Sequence, residues 1–85
     1  MHTVLTPEAI TETLCRLAAE QAAITPVEVT VDTHLFNDLN FDSLDAVEYT
    51  MMIEDEFGVD IEDEKAARVR TIRDAVDVLC PLLES

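Results

Sequence analysis

Few residues in this 85-residue chain have side chains suited to covalent chemistry, and one of them, Ser43, stands in a distinctive setting, the run Asp42-Ser43-Leu44-Asp45. Ser43 falls where a long loop meets the start of a helix. A serine there is ordinarily a helix cap. Asp42 is already a competent cap, and Asp45 three residues on completes a capping-box-like arrangement. Ser43 is then free to point its hydroxyl outward at the positive end of the helix, where unpaired N–H groups and partial charge would favour a phosphodiester.

The other reactive types do not assemble into a catalytic set. His2 and His34 are the only histidines, and neither lies beside a cysteine or serine in a nucleophile motif. A single glycine, Gly58, does not build a phosphate-cradling loop. No catalytic residue is expected, and the chain reads as a non-enzyme. Cys15 and Cys80 form no CxxC pair and are too few for a disulfide framework, so both are expected reduced, beside helical cores. Asp38, Asn40 and Asp42 match the first three acidic positions of an EF-hand loop. That loop then fails, with Ser43 in place of the turn glycine and Tyr49 in place of the bidentate glutamate. No metal site is expected, and a calcium-binding module is the rival reading from another class.

The elements that must hold Ser43 are helices. Thr6-Pro7-Glu8 supplies a capping hydroxyl, a proline at the first helical position and an acid in the first turn. Ile10, Leu14 and Leu17 then recur at helical spacing until the signal fades after Gln21 and ends at Thr25-Pro26. Residues 26–42 are rich in β-branched types, but no second strand is available to pair with them, so they read as a long ordered loop pinned by Leu35 and Leu39. A second helix spans Ser43 to Phe57 and stops at Gly58. A short third helix falls between Glu62 and Arg68. Thr71 caps a last helix carrying Ile72, Ala75, Val76 and Leu79, which Pro81 should end or kink.

The second helix has two apolar faces. At about 100° per residue, Thr50, Ile53 and Phe57 lie within roughly 40° of Ala46, with Tyr49 at the edge, and this stripe is long enough to be the core face. Leu44, Val47 and Met51 cluster elsewhere, at roughly 100° to 160°. A small domain buries two such faces with difficulty, so this second patch is expected to remain exposed. Glu48 and Asp55 rim it on one side and Glu54 on the other. An apolar centre for contact area within a charged rim for steering is the pattern of a docking surface.

Charge points the same way. Nineteen acids against five lysines and arginines give a formal charge of −14. Nucleic acid and anionic membrane surfaces are thereby disfavoured, and a basic protein partner is favoured. Eleven of the acids lie between Asp38 and Glu64 with no lysine or arginine among them. A merely solvated helix face would mix signs to gain i,i+4 pairs. Residues 1–10 show neither a basic leader nor an apolar core of a signal peptide, and no apolar run reaches membrane-spanning length. The expected location is the cytoplasm.

Asp42-Ser43-Leu44-Asp45, then Val47-Glu48 and Glu54-Asp55-Glu56-Phe57, resembles the signature of discrete type II acyl carrier proteins. The similarity runs from about Glu28 through Leu79 and takes in Leu35, Asp38-Leu39, the Ile61 region and the Thr71 start of the last helix; the first helix matches loosely. The resemblance implies an all-α four-helix bundle, three helices longer and one short, with a long first loop, forming a single domain over residues 1–85. It implies a 4′-phosphopantetheine arm on Ser43, next to Asp42, added from coenzyme A by a magnesium-dependent phosphopantetheinyl transferase. Acyl groups would then ride on the arm as thioesters to acyl-processing enzymes with basic docking patches, in fatty-acid or specialised acyl biosynthesis. Leu44, Asp45, Val47, Glu48, Met51, Glu54 and Asp55 match partner-contacting positions, and the chain would act as a monomer without membrane insertion. Polyketide-type and aminoacyl or peptidyl carriers are the alternatives. The family commonly has Gly-Ala or Gly-Gly where this chain has Asn40-Phe41; asparagine tolerates a left-handed backbone, and the bulkier Phe41 is expected beside the arm.

Overall fold

A computed structural model describes residues 6–83; His2 and the first half of residues 1–10, the segment read for a signal peptide, lie outside the described residues. The described residues form four α-helices: α1 (Pro7–Ala22), α2 (Ser43–Phe57), α3 (Asp63–Ala66) and α4 (Ile72–Leu83), with a 3₁₀ turn at Pro26–Glu28. Among the described residues there is no strand, and no helix is long and apolar enough to cross a membrane. The all-α, three-long-and-one-short expectation therefore holds.

Each of the three longer helices begins where a side chain can satisfy its first amides. The Thr6 hydroxyl accepts from the Ala9 amide at 3.1 Å, with Pro7 inside the first turn. At α4 the Thr71 hydroxyl accepts from the Asp74 amide, and the Asp74 carboxylate accepts in return from the amides of Arg70 and Thr71. α1 ends on Ala23 in the left-handed region, φ 59°, with the Ile24 amide bonding back to the Ala19 carbonyl. Gly58, φ 65°, ends α2 in the same conformation.

The loop between α1 and α2 is ordered by α4. His34 and Thr71 form an isolated antiparallel bridge, so the loop does find a pairing partner, at one point, in the segment leading into α4. The Ile72 and Arg73 amides, orphan donors of the first turn of α4, donate to the carbonyls of Thr33 and Val31. His34 orders the loop through both its ring and its main chain. Its Nδ1 accepts from the amides of Phe36 and Asn37, and its own amide donates to the Asp38 carboxylate. Leu35 is fully buried beneath this turn and Leu39 half-buried.

The core joins α1, α2 and α4 through Ile10, Leu14, Leu17, Tyr49, Ile53, Ile72, Ala75 and Leu79, with Val29 and Phe41 added from the loop. Two expectations are corrected here. The buried line of α2 is centred on Tyr49 and Ile53, rotated by roughly 50° from the stripe centred near Ala46. Tyr49 can be buried because its hydroxyl reaches the Leu14 carbonyl, whereas Ala46 and Thr50 face the short α3 and are only half-covered. Second, of the two outcomes expected at Pro81, an end or a kink, the end does not occur, and α4 continues to Leu83. Proline in a last turn forfeits one main-chain bond, and Leu79 and Leu83, packed on the core to either side, hold the turn.

Candidate functional site

Asp42 is the N-cap of α2, with extended backbone. Its carboxylate accepts from the Asp45 amide at 2.8 Å, and the Asp45 carboxylate accepts from the Asp42 amide at 3.1 Å. This reciprocal pair completes the capping box, so Ser43, the first residue of α2, has no capping duty and is exposed. The Ala46 amide bonds to the Asp42 carbonyl, which leaves the Ser43 and Leu44 amides as the orphan donors at the helix end. Asn40 takes the left-handed backbone expected of it, φ 58°. That turn carries Phe41 into the interior. Phe41 is buried, with its ring edge-on to Tyr49 at 5.8 Å between centroids, so its bulk fills core instead of lying at the surface beside Ser43.

Below Ser43 the second face of α2 is open. Leu44, Val47 and Met51 are 64%, 55% and 58% exposed, which is unusual for three large apolar side chains on one helix face. Glu48 and Asp55 are exposed beside them. Three of the acids, Asp45, Glu48 and Glu54, accept hydrogen bonds from within the chain. The Glu54 carboxylate accepts from the Ile61 amide at 2.8 Å and ties α2 to the loop before α3. Asp45, half-buried, uses one oxygen for the Asp42 amide and the other for the side-chain amide of Gln21 on α1, at 2.9 Å. The Gln21 amide, followed by the Asp42 main-chain N–H, holds the Asp45 carboxyl below the usual carboxylate range.

An apolar groove of about 410 Å³ starts one helical turn beyond Ser43 and runs between α2 and α3. Ala46, Val47, Thr50, Met51 and Glu54 line one side; Ile61, Asp63, Ala66 and Ala67 line the other, so the mostly apolar groove also has two carboxylates in its lining. The sequence reading did not single out Thr50, Ala66 or Ala67 for a site; their small size, at positions where a core would ask for larger side chains, was the available signal. Gln21 was likewise missed.

The calcium-binding reading finds no support in this geometry. Asp38 and Asp42 turn their carboxylates onto main-chain amides, and Tyr49, at the twelfth position of the would-be calcium loop, is buried in the core. Cys15 is half-buried, and burial pushes its thiol up, away from the reactive thiolate.

A family model described as a phosphopantetheine attachment site matches residues 12–79, which include most of α1 as well as the region of clearest resemblance. The chain is also similar to an acyl carrier protein of Thermosynechococcus vestitus. The two are 40% identical over 70 residues, 82% of this chain and 86% of the relative.

Proposed function

This chain belongs to the acyl carrier protein family, whose attachment domain bears phosphopantetheine, and from that premise we propose that Ser43 is the residue that carries the arm. The observation behind this assignment is the exposed Ser43 hydroxyl at the first position of α2, released from capping by the Asp42–Asp45 pair. The residues suit the group. The hydroxyl is open to an incoming transferase, the Ser43 and Leu44 amides are unpaired donors at the same helix end, and the groove begins one turn away.

A covalent link suits these surroundings. Asp42 and Asp45 flank Ser43 in a chain of charge −14, so a phosphate held only by contacts would be repelled. An ester bond keeps the arm whatever the field. The terminal thiol of the arm supplies the thioester chemistry. The polypeptide supplies the tether, the adjoining groove as a shelter for an apolar cargo, and a surface for partners to recognise.

We assign that surface to Leu44, Val47 and Met51 with Glu48 and Asp55 at its rim, joined by Asp45 and Glu54, which also brace it from within. Partners would be a phosphopantetheinyl transferase and acyl-processing enzymes carrying lysines or arginines at their docking patches. The family is one of carriers, not catalysts, and we extend this to the chain: a single-domain, monomeric, cytoplasmic carrier without catalytic activity, serving fatty-acid or related acyl biosynthesis. Incubation with a phosphopantetheinyl transferase, coenzyme A and Mg²⁺ tests the attachment residue. Wild type should gain one arm and Ser43→Ala none while keeping its helical circular dichroism; modification of the alanine variant would refute the assignment.

A further inference from the structure

The Gln21 side-chain nitrogen stands 2.9 Å from Asp45 Oδ1 and 2.8 Å from Glu48 Oε1. One amide nitrogen has two N–H bonds, enough to serve both carboxylates. The two acceptors lie three residues apart on α2, where like charges repel and would otherwise turn away from each other. The donor comes from another helix, near the end of α1. We propose that Gln21 is a positioning residue for the docking face of α2, holding Asp45 and Glu48 as a fixed pair that presents Glu48 to a guanidinium or ammonium group of a partner enzyme.

The inference deepens the proposed function and rests on its docking face. Asp45 has both oxygens committed, one to Gln21 and one to the Asp42 amide, so it serves as the anchor of the pair. Glu48 is exposed and gives only Oε1 to Gln21; its second oxygen is the one that a partner cation would meet. A free glutamate loses rotamer freedom on docking, and restraint before the encounter removes that loss. Glutamine suits this place. Lysine would neutralise the acids that attract the partner, and glutamate would add a third like charge.

The test is steady-state kinetics of a phosphopantetheinyl transferase with the carrier as varied substrate. Wild type, Gln21→Met, Gln21→Ala and Glu48→Gln are compared with the two double variants, each checked by a thermal melt. Gln21→Met and Gln21→Ala should raise KM roughly three- to tenfold and leave kcat within about twofold. Neither should have a further effect in the Glu48→Gln background. Wild-type KM in both Gln21 variants, an equal rise with and without Glu48, or a rise that follows lost helicity would overturn the proposal. If Glu48→Gln itself leaves KM unchanged, the docking face fails and the proposal with it; if Glu48→Gln raises KM and the Gln21 variants do not, only the positioning role fails.

Discussion

The Tyr49 phenol donates a 2.9 Å hydrogen bond to the main-chain carbonyl of Leu14, joining the helix that begins at Ser43 to the middle of α1. Both residues are fully buried, and Phe41 closes against the Tyr49 ring from the loop side. The orientation of α2, and so the direction in which Ser43 and the exposed apolar face look, depends on this contact. Tyr49→Phe should cost about 1 kcal/mol, since the ring still packs while a buried hydrogen bond is lost.

The same residue predicts an alkaline limb. Burial, with a smaller contribution from Cys15, pushes the Tyr49 phenol well above its ordinary value of 10.0. The unfolded chain therefore releases this proton first, so the contribution is complete below that value and is lost as pH rises beyond it. Denaturant melts of wild type above pH 10 should show this decline, and Tyr49→Phe should lessen it.

Ala23 ends α1 at φ 59°, in the left-handed region where a Cβ is strained. Ala23→Gly should stabilise the fold by about 0.5–1 kcal/mol, the relieved strain being partly offset by a freer unfolded chain. A thermal melt reads this directly, and a lower melting temperature would mean that the turn is not strained.

Asp45 predicts the acid limb. Its carboxyl is held below the ordinary 3.8, chiefly by the Gln21 amide and then by the Asp42 main-chain N–H. A lowered carboxyl contributes stability that is present above its unfolded value and is lost as pH falls through the folded one. Asp45→Asn should flatten the pH dependence across that interval, and Gln21→Met should do so in part. Melts over a descending pH series, compared with wild type, measure both.

Much of the site was legible before any coordinates because its signals are local. Asp42 with Asp45 and then Gly58 mark the two ends of α2, and Asn40 marks the turn that leads into it. What escaped depends on packing between segments distant in sequence. The rotation of the α2 stripe toward Tyr49 requires a carbonyl acceptor on α1, and the roles of Gln21 and His34 require partners that periodicity does not reveal. The continuation of α4 beyond Pro81 follows from leucines packed on either side, which outweigh the local rule against proline.

The central claim is that Ser43 bears a phosphopantetheine arm, and mass spectrometry of the protein purified from its native host tests it most directly. Ser43 and Ser85 are the only serines, and no lysine or arginine lies between Arg16 and Lys65, so trypsin isolates Ser43 on one large peptide without the other serine. The account predicts an intact mass raised by one arm, with or without an acyl group, and fragment ions that locate it on Ser43. A bare polypeptide mass throughout, or an arm on any other residue, would contradict it.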